Sequence, residues 1–423
     1  MAEHRRGANL PSIGGFNRTV VLDAVRRSPD GLSRVELASR TGLSAQTVSN
    51  VTRFLIEAGM IVESGTVVAG RGKPRTILRL EPGSRYAVGV HVDPAVVTYV
   101  LLDLAGTVVA SSTTSTPTAD DPSEVVRTIG SAVDGLIADA GVDVDGVLGV
   151  GIASPGPIDV DAGIVVDPPF LPRWRDVPLR DALAEATGYP VLLEKDVTAA
   201  AVGEMFLAGE SSARNFAFVY FGTGFGVGLV VDHEPVRGVG SNAGDAGHIM
   251  VDQRSLAGTP DGSGSRGEVG AAVAPDRLVR IARDRGVALS GGGDPAGVVS
   301  SDGAVDAVNR AWDELAEAIV AGDEAAITLA AEAGTVMGDA AVVIVNLLDI
   351  DRVVFGGPFW SRIASAALPA ARAAIVGSPL LVPKHAVDVV ESDRGADVAA
   401  VGAACLVLDA ALSPRASGLL IRR

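Results

Sequence analysis

The chain has 423 residues and a formal net charge of −16, with 48% hydrophobic and 20% charged residues. This composition is ordinary for a soluble globular protein, and the length predicts more than one folding unit. The single cysteine, Cys405, excludes a disulfide framework and a zinc site built on several thiolates. Because the N-terminal residues are polar and lack an apolar signal segment, we expect a cytoplasmic protein without a membrane span.

The charge is unevenly divided along the chain. Residues 1–85 carry a net charge of +6, whereas the remainder carries −22. A basic head on an acidic body predicts a polyanionic partner that contacts the head alone. Within the head, residues 1–15 are rich in Gly, Pro, Ser and Arg and are predicted to form a flexible arm.

Residues 16–57 predict three short helices. Ser33 and Glu36 have the spacing of a capping box at the start of the second helix. Gly42 permits the positive φ angle of a tight turn, after which Ser44 is placed to cap the third helix. Two helices joined by such a turn indicate a helix-turn-helix.

Residues 58–85 predict a wing and a linker. A hairpin is expected over residues 60–80, with a turn near Ser64–Gly65, a basic loop at 70–75 and a return strand at Thr76–Leu80. We therefore assign residues 16–80 to a winged helix-turn-helix domain and residues 81–85 to a linker.

Short polar side chains on the third helix suit base edges and phosphates, and a small basic wing suits a minor groove. The predicted DNA-binding residues are Arg34, Ser44, Gln46, Thr47, Ser49, Asn50, Arg53, Arg71 and Lys73. The alternative is a three-helix bundle with no DNA role, whose surface would also be polar.

The body alternates strands with helices from residue 86 onward, which predicts an α/β architecture. Five segments then converge in order: Gly151–Asp159, Glu194–Glu204, Phe221–Gly228, Ala243–His248 and Phe355–Gly357. Together they resemble the ROK family of repressors and sugar kinases. The head, from Asn17 through the Gly-Arg-Gly-Lys-Pro wing, resembles the repressor branch of that family.

The resemblance implies a fold in which the winged helix-turn-helix precedes a two-lobed, actin-like sugar-kinase domain. Lobe 1 would comprise residues 86–195 together with a C-terminal helix at 396–412, and lobe 2 would comprise residues 196–395. The family binds its sugar in the cleft between the lobes.

Several departures from the family pattern bear on catalysis. Asp196 matches the family's general base, but the preceding sugar-binding Asn is Lys195, whose charge would lower that basicity. In the first phosphate loop both glycines are missing, His91 replaces an Asp, and Pro94 has no N–H to donate. We therefore expect Asp196 to be a vestigial base and the chain to be catalytically inactive.

A second phosphate loop is retained at Gly222, Thr223 and Gly224. The alternative for this loop is a tight strand–turn–strand that needs glycine for its backbone alone. Asp245 and His248 match the family's sugar-binding Glu and His.

The family's zinc cysteines are absent, so we expect no metal and no cofactor. Glu268 matches a later sugar-binding Glu of the family. The alternative for Asp245 and His248 is a hydrogen-bonded pair that only orders the loop.

The leading hypothesis is a transcriptional regulator of carbohydrate metabolism, expected to be a repressor, that binds a double-stranded DNA operator as a homodimer or a higher homo-oligomer. A sugar or sugar-phosphate-like effector would bind in the cleft at Lys195, Asp196, Asp245, His248 and Glu268. Lys195, at the cleft rim, would recognise an anionic group; alternatively, it pairs with Asp196 and closes an unused pocket. The other interpretations are an active ATP-dependent sugar kinase with an accessory DNA head, and a ligand-independent DNA-binding protein whose body is a scaffold.

Overall fold

The computed structural model describes residues 10–67, 74–94, 96–117, 122–168, 171, 174–209, 213–251, 267–289 and 302–412. Helices and sheets are mixed throughout the body, and a small helical domain with its own sheet precedes them. The expected class, an α/β body behind an N-terminal winged helix-turn-helix, is confirmed.

The head contains three helices and a small antiparallel sheet. The helices are α1 (Leu10–Arg26), α2 (Arg34–Thr41) and α3 (Ala45–Glu57). The strands, in spatial order, are β1 (Leu32–Ser33), β3 (Arg75–Leu80) and β2 (Ile61–Val67). The predicted capping box is confirmed, because Ser33 accepts from the Glu36 N–H and the Glu36 carboxylate accepts from the Ser33 N–H. Gly42 ends α2 with a φ of 69°.

Two predictions for the head need correction. Helix α1 begins at Leu10 rather than Phe16, so residues 10–15 are helical rather than part of a flexible arm. Pro11 is tolerated there because the N–H groups of a first helical turn have no intrahelical acceptor. The predicted turn at Ser64–Gly65 is wrong: β2 runs through it, with a register shift between Glu63 and Thr66 that accommodates one extra residue as a bulge.

Lobe 1 is built on a five-stranded sheet. Its strands, in spatial order, are β10 (Val191–Lys195), β7 (Val147–Ser154), β4 (Tyr86–Val92), β5 (Val96–Asp103) and β6 (Val108–Ser115). The first three are parallel and the last three antiparallel. Helices α4 (Pro122–Ala140) and α5 (Leu179–Thr187) and a small hairpin, β8 (Ile158–Asp159) and β9 (Ile164–Val165), complete the lobe.

Lobe 2 is built on a second five-stranded sheet. Its strands, in spatial order, are β13 (Glu234–Pro235), β12 (Phe225–Val231), β11 (Phe216–Phe221), β14 (Arg352–Gly356) and β15 (Asp388–Glu391). Its helices are α6 (Asp196–Leu207), α7 (Val269–Ala272), α8 (Pro275–Asp284), α9 (Asp302–Ala321), α10 (Glu324–Leu348) and α11 (Trp360–Val376). Buried aromatic rings fill its core, including Trp312, Phe355 and Trp360.

The last described helix, α12 (Val398–Leu412), returns to the sheet of lobe 1 and packs against α6. Small residues permit this close approach: a Cβ at Gly151 would overlap the Ala403 carbonyl, and one at Gly402 would overlap the Ala199 carbonyl. Helix α10, and α12 together with the three residues before it, are long and apolar enough to cross a membrane, but most of each segment is buried inside the protein. Both are therefore interior helices of the fold.

Candidate DNA-binding head and effector cleft

Helix α3 divides its residues between the head core and the surface. Val48, Val51 and Leu55 are buried against the other head elements. Gln46 and Asn50 are exposed one turn apart, and the Gln46 amide donates to Asn50 Oδ1 at 3.3 Å. An exposed pair of amides near the start of a helix can form bidentate hydrogen bonds with base edges.

The other predicted residues of α3 differ in exposure. Arg53 is exposed, while Thr47 and Ser49 are partly buried. The Ser44 hydroxyl accepts from the Thr47 N–H at 3.1 Å and therefore caps the helix, as predicted. This cap orients the first turn, whose N–H groups are favourable partners for phosphate.

Arg34 has partners within the head itself. Its guanidinium donates to Thr52 Oγ1 at 3.1 Å and pairs with Glu63 at 2.9 Å. These contacts tie α2 to α3 and β2, so in this structure Arg34 helps to position α3. The wing residues Arg71 and Lys73 lie outside the described residues.

The head is joined to the body by two arginines at the end of α1. Arg26 donates to the Phe206 carbonyl oxygen at 2.8 Å, and its guanidinium lies 3.8 Å from the centroid of the Phe206 ring. Arg27 donates to the Gly209 carbonyl oxygen at 3.0 Å. Asp23 pairs with both arginines, at 2.7 and 2.8 Å. The C-terminal end of α6 is thus held by the DNA-binding head.

The other end of α6 opens on a cavity of about 500 Å³ between the lobes. Five of the residues predicted for the effector site and the retained phosphate loop line it: Lys195, Asp196, Thr223, Gly224 and Asp245. Further lining side chains that the sequence did not single out are Asp167, Tyr220 and Asn242, together with Asp93 of the altered first loop. The cavity therefore collects polar groups from both lobes.

Asp196 is the first residue of α6 and borders the cavity. Its Oδ1 accepts from the Val197 N–H at 2.7 Å. Burial raises the pKa of Asp196 to about 6, and this effect outweighs the opposing influence of that hydrogen bond and of Lys195. The carboxyl is consequently ionised at pH 7 but takes up a proton in mild acid.

Lys195 lies in the wall of the cavity rather than at its rim, because only 8% of its surface is exposed. Its Nζ donates to the carbonyl oxygen of Asn242 at 3.2 Å. No ion pair between Lys195 and Asp196 is found among the described residues. The neighbouring Glu194, also buried, pairs with Arg237 at 2.6 Å.

The two loops that correspond to phosphate loops contact each other. Thr223 Oγ1 donates to Asp93 Oδ2 at 3.4 Å. His91 is buried beside Tyr220, with 6.3 Å between the ring centroids, and burial lowers the pKa of His91 to about 4. The imidazole is therefore neutral at pH 7. A Cβ at Gly222 would lie 2.7 Å from the Tyr220 ring. Steric crowding alone therefore favours glycine at this position.

His248 and Glu268 are paired with each other. The His248 Nδ1 lies 3.2 Å from the Glu268 carboxylate, and 75% of the His248 side chain is exposed. Neither is among the described residues that line the cavity. Lys195, Asp196 and Asp245 therefore line one cavity, and His248 and Glu268 form a separate pair that is not part of that lining.

The donor set does not fit the zinc site that the family resemblance implies. The chain's one cysteine, Cys405, is buried in α12, and burial raises the pKa of its thiol to about 12. Residues 254–267, which correspond to the family's zinc segment, contain no cysteine, and all of them except Gly267 lie outside the described residues. A structural zinc site needs about four ligands, so His248 alone is insufficient.

Two residues that line the cavity, Tyr220 and Asn242, were not singled out from the sequence, for different reasons. Tyr220 lies near the end of β11, two residues before the retained phosphate loop begins at Gly222, so its closeness to that loop in the sequence was a usable signal. No sequence pattern singled out Asn242. Its side chain bridges the lobes by accepting from the Ile158 N–H at 2.8 Å and donating to the Ile158 carbonyl at 2.7 Å.

Comparison with known proteins follows the same division of the chain. The family model "ROK family" matches residues 87–410, and the model "Winged helix-turn-helix DNA-binding" matches residues 21–62. The chain is similar to the xylose repressor of Bacillus subtilis strain 168, with 28% identity over 58% of this chain and 63% of the repressor. The first curated relatives are matched over only 54% to 63% of their own length.

Two further similarities extend over nearly the whole chain. The DNA-binding transcriptional repressor Mlc of Escherichia coli K12 is 24% identical over 92% of each chain. A crystal structure of a ROK family transcriptional regulator, described as a homologue of the E. coli Mlc protein, superposes with a TM-score of 0.72 and 22% identity. The superposition covers 96% of this chain and 98% of that chain. With the family model matching most of its length and a winged helix-turn-helix at its N-terminus, the chain belongs to the ROK family.

Proposed function

We propose that this protein is a sequence-specific DNA-binding transcriptional regulator of carbohydrate metabolism, acting as a repressor. Its operator affinity would respond to a sugar or sugar-phosphate-like effector in the cleft. The basic head, the exposed amides of α3 and the similarity to proteins named as repressors support this proposal. We further propose a cytoplasmic homodimer, because paired heads read paired half-sites.

The observation that carries the sensing role is the position of α6. Asp196, at its N-terminus, borders the cavity, while Phe206, near its C-terminus, is held by Arg26 of the head. A helix of 12 residues spans about 18 Å and moves as a rigid unit. A ligand that displaces Asp196 would therefore act on the head through Arg26.

The proposed effector ligands are Lys195, Asp196 and Asp245 in the cavity, with His248 and Glu268 retained as further candidates. Carboxylates accept hydroxyl protons, and a neutral imidazole can accept or donate. For DNA we retain the nine residues predicted on the head, with Gln46, Asn50 and Arg53 as the exposed ones on α3.

We propose that the body does not phosphorylate sugars. The neutral, buried His91 and the absence of an N–H on Pro94 both argue against a working first phosphate loop. An ADP-release assay over common hexoses tests this. Turnover near the typical enzyme value of about 10 per second would support the kinase alternative instead.

The sensing role is tested with Arg26→Ala. Operator affinity is measured by fluorescence anisotropy with and without D-glucose and D-xylose, and sugar binding is measured separately by calorimetry. We expect the variant to bind sugar like the wild type but to lose most of the sugar-dependent change in operator affinity. Arg310→Ala, which removes an exposed arginine from α9 of lobe 2, is the matched control.

The outcomes separate the parts of the proposal. Undiminished coupling in Arg26→Ala would exclude the α6 route while leaving regulation intact. Sugar binding without any change in operator affinity in the wild type would exclude sensing, because a ligand shifts only equilibria between states that it binds differently. Failure to bind any DNA with sequence preference would exclude the regulator altogether.

A further inference from the structure

Phe54 is a large aromatic side chain that the head leaves exposed on α3. It lies one helical turn beyond Asn50, and 45% of its surface is accessible. Residues four apart on a helix are neighbours on one face, so the ring borders the exposed amides of Gln46 and Asn50. The group that covers this ring therefore lies close to the residues proposed to read base edges.

Arg18, from the middle of α1, covers the ring. Its guanidinium carbon lies over the Phe54 ring, 4.4 Å from the centroid. In such a cation–π contact the face of the ring attracts the positive charge. The guanidinium can still donate through its N–H groups, whose planar arrangement matches a phosphate. The stack thus restrains a long side chain without using up its hydrogen-bond donors.

The charge of Arg18 is not offset by a carboxylate partner, unlike that of three other arginines in the head. Arg26 and Arg27 pair with one aspartate, and Arg34 pairs with Glu63. Arg18 is half-buried and makes neither an ion pair nor a hydrogen bond within the part of the chain that the structure describes. Its donors are therefore available to an anion, whereas those of Arg34 must first leave a carboxylate.

We propose that Arg18 donates to a phosphate of the operator backbone, at the edge of the groove that α3 enters, and that Phe54 holds it in place. This inference rests on the proposed function and adds a DNA contact to the nine predicted residues. The major groove is about 12 Å wide, so a helix within it has a phosphate backbone on either side. Because the Arg18 guanidinium covers Phe54, it lies beside α3 on the side that carries Asn50, where one backbone would pass.

Such a contact would position the head rather than read sequence. Phosphates are the same at every base pair, so a phosphate contact adds affinity for all DNA and fixes how the neighbouring amides meet the bases. The neutralised phosphate also releases a counterion, which makes the contact visible in the salt dependence of binding.

The test measures affinity of the full-length protein for operator and mismatched DNA at several salt concentrations, by fluorescence anisotropy. Arg18→Ala should weaken binding of both DNAs about 3- to 10-fold at 0.1 M salt. The slope of log affinity against log salt should become less steep by about 0.9 for each bound head. Arg18→Lys keeps the charge and should keep most of the slope. Arg79→Ala is the control, because it removes an exposed arginine that donates to the Asp30 carbonyl oxygen at 3.2 Å, and it should bind like the wild type.

Phe54→Leu tests the stack, because it removes the aromatic ring but keeps an apolar side chain and the arginine. It should weaken binding of both DNAs about 2- to 5-fold, the contribution of an exposed cation–π contact. Unchanged affinity in this variant would exclude the role of Phe54.

Three outcomes would overturn the contact of Arg18 with phosphate. They are a wild-type salt slope in Arg18→Ala, a loss confined to operator DNA, and a lower melting temperature with a binding loss that Arg18→Lys does not recover. Binding of the wild type separates this inference from the proposed function. A wild type without sequence preference would exclude the regulator even if the slope depends on Arg18, whereas an unaltered slope beside intact preference would overturn this inference alone.

Discussion

The head and the cleft differ in whether the protein itself supplies hydrogen-bond partners to their polar groups. In the head, Ser33 and Glu36 cap α2 reciprocally, and Arg34 has two partners. In the cleft, Asp196 has a raised pKa and the Tyr220 hydroxyl has no described partner. Departures from full satisfaction are expected at functional sites rather than in a scaffold, so the difference agrees with the proposed roles of the two regions.

The same difference extends to stability. A satisfied cap stabilises the protein that contains it, whereas a partly buried carboxylate and an unpaired buried hydroxyl destabilise it. Substitutions in the two regions should therefore change the free energy of unfolding in opposite directions. The largest change is expected in the cleft, at Asp196.

Asp196→Asn should raise the free energy of unfolding at pH 8 by about 2–3 kcal/mol, because it removes a partly buried charge whose pKa is raised in the folded protein. The folded-state pKa of Asp196, about 6, lies above its ordinary value of 3.8. The aspartate thus favours folding fully only below about pH 4, and this contribution is lost as the pH rises through 6. The gain in the asparagine variant should accordingly shrink as the pH falls from 8 to 5.

Denaturant titrations at pH 8, 7, 6 and 5 measure this effect. Asp139→Asn, at an exposed position of α4, is the control and should show no comparable gain. A loss of stability in Asp196→Asn at pH 8 would mean that the carboxylate is fully compensated in the folded protein, and the contrast between cleft and head would fail.

Asn50→Ala and Gln46→Ala should each change the discrimination between operator and mismatched DNA by about 1–3 kcal/mol, because amides read base edges. Competition binding with single-base operator variants measures the change. Ser39→Ala, at an exposed position of α2, serves as the comparison and should keep the wild-type preference. An unaltered preference in both amide variants would assign sequence reading to other residues.

The double substitution Arg71→Ala and Lys73→Ala should weaken DNA binding similarly on all sequences. The slope of log affinity against log salt should become less steep by about 0.9 for each phosphate that the variant no longer neutralises. Affinities measured at several salt concentrations give this slope, with Arg310→Ala as the control for removal of a positive charge. A wild-type slope in the double variant would show that the wing does not bind phosphate.

Ser33→Ala should lower the free energy of unfolding by about 1 kcal/mol, since it removes one half of the capping box. The Glu36 pKa is lowered chiefly by its hydrogen bonds with Ser33, so this carboxylate stabilises the head above its ordinary pKa and ceases to do so in acid. Ser39→Ala tests the same chemical change without a cap. Equal unfolding curves for the two serine variants would contradict the expected contribution.

The sequence by itself determined the local structure of the head and the class of the fold. Capping residues, a turn glycine and apolar periodicity act within one turn of helix, so Ser33, Glu36 and Gly42 could be interpreted without a structure. Five ordered motifs then identified the family. Local signals failed where a bulge replaced a turn at Ser64–Gly65, because strand pairing with β3 decides that geometry.

Only the tertiary structure decided which side chains share the cleft. Asn242 meets Ile158 across 84 residues, and Arg26 meets Phe206 across 180 residues. Such contacts depend on how the lobes and the head pack, which no local pattern encodes. The same packing places Lys195 in the wall of the cavity, whereas the sequence had led us to expect it at the rim. Burial likewise set the pKa of Asp196, because the cost of removing a charge from water depends on every group that surrounds it.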